Sequence, residues 1–238
     1  MATRFVQINM KARDDAALGG FWAGALGWAM SSEGPGVTNL EPVGFDYPDP
    51  AAVCIDLVVS AEPKTTRNRV RLELAATSEA ERAELIGRLT ELGATPAGTG
   101  PGEMVDPEGN EFRVVDSSGP ATGPIAAMVV DCADPRAMAG FWGAATDWIV
   151  HEVGDQEAVL RSAKGVGPWL RFVRTAEEKT GWNRVHLDVR PYPGDDMRAE
   201  AVRLRALGAT AVDLGDAEVS WTVLADPEGN EFCVLAPA

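Results

Sequence analysis

Positive charge is scarce in this sequence. Its 238 residues hold 21 Lys and Arg against 36 Asp and Glu, a formal net charge of −15. Such a surface repels phosphate backbones and anionic headgroups, which excludes nucleic acid and membranes as expected partners. The excess acid keeps the chain in solution. Long apolar runs are also lacking: no window approaches the ~18 unbroken apolar residues of a membrane helix. The opening stretch MATRFVQINMKARDD has none of the basic-then-apolar order of a signal peptide, so a cytoplasmic location is expected. Cysteine is rare and odd in number (Cys54, Cys132, Cys233), with no Cys-x-x-Cys, which argues against a disulfide framework. Lysine is rare beside arginine, and alanine and glycine are abundant, the composition of a GC-rich bacterial genome.

What the chain does have, it has twice. DPEGNEF runs from Asp106 to Phe112 and again from Asp226 to Phe232, 120 residues later. Phe21-Trp22 and Phe141-Trp142 are also 120 apart, and Asn68-Arg69-Val70 and Asn183-Arg184-Val185 are 115 apart. Three landmarks in one order mean a tandem duplication, and this period is that of a domain. The copies span 1–118 and 125–238, joined at 119–124 within the small, Gly- and Pro-containing SSGPATGP.

Each copy reads β-α-β-β-β twice. An alternating strand (FVQINMK, IAAMVVD) precedes a helix that carries Phe-Trp inward; in copy 2, Asp134 is its N-cap and Pro135 its first residue. Short strands lead to AVCIDLVV or WLRFV, then NRVRLELA or NRVHLDVR. The second helix of copy 1 opens on the capping box Ser78-x-x-Glu81 and stops at Gly93; that of copy 2 stops at Gly208. DPEGN is then a hairpin turn before the last strand, with Gly109 and Gly229 free to take positive φ.

The βαβββ order, the FW…LGW segment, the NRVHLD strand and the DPEGNEF ending resemble the glyoxalase/bleomycin-resistance/dioxygenase group, the vicinal oxygen chelate superfamily. The resemblance covers nearly the whole chain. It implies an α+β fold of two tandem domains, each with paired βαβββ modules curling an eight-stranded mixed sheet into a cup that holds a metal or a ligand. It also implies metal ligands from four strands, typically His or Gln, Glu, His and Glu. Copy 1 offers Gln7, Asp56, Arg71 and Arg113 at those positions; copy 2 offers Ala127, Arg171, His186 and Cys233. Two arginines in one cup repel a divalent cation, and the other cup has His186 with Cys233 and Glu231 at most. The expected cofactor is therefore none, with a distorted divalent-metal site as the minor alternative.

Strand alternation sorts the faces. Val70, Leu72 and Leu74, and Val185, Leu187 and Val189, pack under helices. Arg69, Arg71, Glu73, Glu111 and Arg113 then crowd the copy 1 cup with Asp56, either as internal salt bridges, as a contact with copy 2, or as an anion site. The copy 2 cup is expected to hold the ligand. His186, oriented by Asp188 and helped by Glu231, is the candidate acid or base. Trp169, Arg171, Arg184, Trp221 and Cys233 are the candidate ligand contacts. Trp22, Trp28, Trp142 and Trp148 belong to the core, Trp182 is a weaker contact, and His151 is a surface residue.

Two readings compete: a metal-independent acid/base enzyme on a small organic substrate, and a ligand-sequestering, bleomycin-resistance-like binding protein. A metal-dependent lyase or dioxygenase stands third. The partner is a small molecule, and the chain is a monomer with an internal pseudo-dimer or a homodimer.

Overall fold

The computed structural model describes residues 2–98, 100–117, 123–213 and 220–237, so the joint at 119–124 lies outside the described residues up to 122. Copy 1 contributes two βαβββ modules. The first is β1 (Arg4–Ala12), α1 (Asp15–Leu26), β2 (Ala29–Gly34), β3 (Val37–Glu41) and β4 (Cys54–Val59). The second is β5 (Val70–Ala76), α2 (Glu79–Glu91), β6 (Thr95–Pro96), β7 (Glu103–Val105) and β8 (Glu111–Asp116). Copy 2 repeats the order. Its first module is β9 (Ile125–Cys132), α3 (Pro135–Ala145), β10 (Trp148–Val153), β11 (Glu157–Ser162) and β12 (Trp169–Arg174). Its second is β13 (Val185–Arg190), α4 (Met197–Ala206), β14 (Thr210–Ala211), β15 (Thr222–Ala225) and β16 (Glu231–Val234).

The local signals act where they were read. The Asp134 carboxylate accepts from the Arg136 and Ala137 amides, with Pro135 opening α3. Ser78 accepts from the Glu81 amide at 3.2 Å, but the Glu81 carboxylate reaches back to the Thr77 amide at 2.7 Å, one residue further than the standard box. Gly93 and Gly208 follow α2 and α4 with φ of 107° and 118°. Among the described residues, no helix is long and apolar enough to cross a membrane.

The pairing of modules departs from the repeat. One eight-stranded sheet has the order β14-β15-β16-β13-β1-β4-β3-β2, the other β10-β11-β12-β9-β5-β8-β7-β6. Each sheet joins the first module of one copy to the second module of the other. The seams are antiparallel: Gln7 faces Asp188 and Asn9 faces His186 across β1/β13, while Arg71 faces Val129 and Glu73 faces Ala127 across β5/β9. The copies are the units of duplication, and each cup is built from both. One apolar core runs through the molecule: Phe5 of β1 packs tilted on Trp142 and edge-on against Trp148, and Trp22 of α1 packs edge-on against Phe112 of β8.

DPEGN holds this arrangement together. Within each turn, Asp106 Oδ1 accepts from the Glu108 and Asn110 amides, and Asp226 Oδ1 from those of Glu228 and Asn230, all at 2.9 Å. Gly109 and Gly229 take φ of 85° and 81°, which an L side chain would strain. Glu108 and Asn110 then reach the opposite sheet. The Glu108 carboxylate accepts from the Arg13 and Asp14 amides ahead of α1 and pairs with Arg184, which also donates to Asn110 Oδ1 at 3.2 Å and to the Glu62 carbonyl at 3.0 Å. The mirror set joins Glu228 to the Ala133 and Asp134 amides, and Arg69 to Asn230 Oδ1 at 3.1 Å and Glu228 at 3.5 Å. Each turn thus bolts its own sheet to the other one.

Arg184 was expected as a ligand contact. It is instead a buried latch, with 9% of its side chain exposed against 8% for Glu108. Arg184→Met should destabilise the fold by about 3–5 kcal/mol, because it strands a buried carboxylate. Arg69→Met should cost less, since Glu228 is wetter and further away. Urea denaturation checks this; a loss under about 1 kcal/mol for Arg184→Met would contradict the latch.

Burial pushes the Asp226 carboxyl up to about 6, against the pull of its hydrogen bonds from Asn230 and Glu228. A carboxyl with a raised folded pKa favours folding while protonated. That contribution is full below the unfolded value near 3.8 and is lost as pH rises through about 6. The stability of Asp226→Asn relative to the native chain should therefore increase between pH 4 and pH 6.5, whatever its offset. Denaturation at several pH values tests this, and a pH-independent difference would refute it.

Candidate functional site

The exchange of halves redistributes the four ligand positions. The cup of the first sheet receives Gln7 from β1, Asp56 from β4, His186 from β13 and Cys233 from β16. The cup of the second receives Ala127 from β9, Arg171 from β12, Arg71 from β5 and Arg113 from β8. At these eight positions the side chains able to bind a cation fall in one cup, and the three arginines in the other. The expectation that arginines share a cup with Gln7 and Asp56 is thereby corrected: they lie in the second sheet because β5 and β8 pair with copy 2.

In the first cup the side chains touch. Gln7 Nε2 donates to Asp56 Oδ2 and, at 3.2 Å, to Asp188 Oδ2, bridging two carboxylates. Asn39 Nδ2 donates to Asp56 Oδ1 at 2.9 Å, and the Tyr47 hydroxyl to Gln7 Oε1 at 3.2 Å. His186 Nε2 lies 3.3 Å from Asp188 Oδ1 and 3.4 Å from Cys233 Sγ. Donor atoms of His186, Asp188 and Cys233 all fall within 4.8 Å of one another.

Two observations test whether a metal ion suits these residues. Tetrahedral bonds of about 2.0–2.3 Å place neighbouring donors about 3.3–3.8 Å apart, which matches the His186 separations. Asp188 Oδ1 is also buried without a hydrogen-bond partner among the described residues; its 3.3 Å approach to the imidazole Nε2 lacks hydrogen-bond geometry. Unspent lone pairs in a buried site are what a cation satisfies. A set of imidazole nitrogen, carboxylate oxygen and thiol sulfur suits zinc or a neighbouring transition metal. The residues fit.

Burial pushes the Cys233 thiol far above its usual range, and the adjacent Asp188 carboxylate pushes it further. Burial raises the Tyr47 hydroxyl as well, against the field of Arg190. Burial raises Cys54, also facing this cup, to about 12, with Glu41 and Asp56 adding to it. Cys132, buried under α3, rises to about 12 for the same first reason. In the presence of EDTA, the native chain should therefore leave all three thiols unreactive to a disulfide reagent at pH 8 and release three in guanidinium. One fast-reacting thiol in the native state would contradict this.

The other expected site residues are dispersed. Trp169 stands in the second sheet beside Ala127, its ring edge-on to His151 at 5.1 Å and beneath the Arg161 guanidinium at 4.7 Å, so His151 has a partner after all. Arg171, also in the second sheet, is paired with Glu73 and Glu157. Glu231 faces inward at the start of β16, but Lys179 holds its carboxylate at 2.7 Å and the Asn183 amide at 3.0 Å, as Lys64 and Asn68 hold Glu111; it braces a loop. Trp221 and Trp182 are exposed, Trp182 beneath Lys11. Sequence reasoning missed Asn39 and Tyr47, and separated Gln7 and Asp56 from His186. The missing signal was the complementarity of the two ligand sets.

Both halves of the chain, residues 7–115 and 127–235, match the family model of the glyoxalase-like domain. The chain belongs to that family. Glyoxalase I from Zea mays superposes over 99% of this glyoxalase-like chain and 92% of its own, with a TM-score of 0.66 at 13% identity. A putative dioxygenase from Bacillus subtilis superposes over 99% and 86%, also with a TM-score of 0.66, at 15% identity. At those identities the likeness concerns the fold. Among curated proteins, none matches this glyoxalase-like chain by sequence.

Proposed function

We propose that the first cup is a divalent-metal site and that this glyoxalase-like protein is a metal-dependent enzyme acting on a small oxygen-bearing organic substrate. One observation carries the reading: Gln7 and Asp56 of copy 1 join the His186, Asp188 and Cys233 cluster of copy 2 in one cup, while Arg71, Arg113 and Arg171 at the matching positions sort into the other. His186, Asp188 and Cys233 would hold the ion, with Gln7 and Asp56 as further donors beside it. When bound, a metal there supplies Lewis-acid polarisation of a substrate oxygen. This reading replaces the expectation of a metal-free site, which rested on the copy-by-copy grouping of ligands.

The chain's own groups do the rest. Gln7 fixes the two carboxylates relative to each other, and Asn39 fixes Asp56 from the far side. The Asp56 carboxylate is thus a positioned proton acceptor at the cup wall. Tyr47 covers Gln7 from the 42–53 segment and restricts water on that side.

A second reading uses the same residues without metal: His186 acts as acid or base, with the Asp188 carboxylate 3.3 Å from its Nε2 as counter-charge. The two separate on metal content. The purified, untagged protein should carry about one transition metal per chain, lose it to EDTA, and bind little in His186→Ala. Protein that holds no metal, and takes up no zinc or cobalt when offered, overturns the metal reading and leaves the acid/base one.

A further inference from the structure

We propose that the second cup is a separate binding site for a small organic carboxylate with an apolar body. It encloses about 470 Å³, within the range of small-molecule pockets. Its floor strand is β9, which presents Val129 to the cavity where β1 presents Asn9 to the first cup. The floor is therefore apolar, and Val173 and Met104 extend it.

The walls are charged, and most of that charge is spent internally. Arg71 is bidentate to Asp131, Arg171 pairs with Glu73 and Glu157, and Lys64 pairs with Glu111. Arg67 and Arg113 are different. Both line the cavity, and among the described residues neither guanidinium makes a hydrogen bond or an ion pair. Glu103 sits across the β7/β8 ladder from Arg113 without pairing to it.

Counting Lys64, Asp131 and Glu157 just outside the wall, five cations meet five carboxylates, so the cup is no general attractor of anions. It offers two guanidinium forks with unspent donors at the edge of an apolar floor. A guanidinium fork matches a carboxylate bidentately. The floor selects a ligand whose remainder is hydrophobic, and a bare anion gains nothing from it. The same guanidiniums would repel a divalent cation, which keeps this cup distinct from the first.

Calorimetric titration with benzoate tests the proposal, with benzyl alcohol and inorganic phosphate as controls. Benzoate should bind with Kd of order 1 mM or tighter. Benzyl alcohol and phosphate should each bind at least about tenfold more weakly. Arg113→Met and Arg67→Met should each weaken benzoate by about tenfold. Both positions are exposed and keep their side-chain volume, so the fold is preserved. Binding should survive in His186→Ala, whether or not the first cup holds a metal. Absent benzoate binding, equal binding of phosphate, loss of binding in His186→Ala, or binding that persists in Arg67→Met/Arg113→Met overturns it.

Discussion

Two arginines, Arg184 buried and Arg69 mostly so, decide how this molecule is assembled. Arg184 spans Glu108, Asn110 and the Glu62 carbonyl, and Arg69 spans Glu228, Asn230 and the Asp131 carbonyl. Each joins the second module of its own copy to the turn of the other. A buried charge without its partner costs several kcal/mol, so each latch favours the assembled arrangement. They fix the exchange of halves, and the exchange fixes which side chains share a cup. The residues of DPEGN therefore serve three ends: Asp and Gly shape the turn, Asn and Glu receive the arginine, and Glu also caps the approach to a helix. A hairpin alone would need only the first.

Once halves are exchanged, duplication has a consequence that neither copy shows alone. Copy 1 carries Gln7 and Asp56 in its first module and arginines in its second; copy 2 carries Arg171 in its first and His186, Asp188 and Cys233 in its second. Side by side, both look like failed sites. Crossed over, one cup gathers nitrogen, oxygen and sulfur donors, and the other gathers guanidiniums around an apolar floor. The two cups are complements in side-chain chemistry, and the pattern shows only at the level of the cup.

Element order, helix caps, the turn and the inward-facing rows of β5 and β13 were legible in the sequence because each is a local matter of spacing and side-chain type. Ser78, Asp134, Gly93 and Gly208 act where they were read. Module pairing was not legible, since four similar modules fit together in more than one way and the choice rests on contacts over 70 residues apart in sequence. That one gap moved Trp169 and Arg171 away from His186 and brought Gln7 and Asp56 to it. Arg184 and Glu231 face inward by alternation, as expected, but alternation cannot show that Glu108 and Lys179 already occupy them.

The most direct test compares zinc affinity, by competition with a chelator, in Asp56→Ala and Arg171→Ala. The crossed arrangement requires Asp56, from copy 1, to stand beside His186 and Cys233 of copy 2. Asp56→Ala should then weaken zinc about 10–100-fold, and Arg171→Ala should leave it unchanged. Arg171→Ala altering the affinity while Asp56→Ala does not would contradict it, because that is the pattern of a cup built from copy 2 alone.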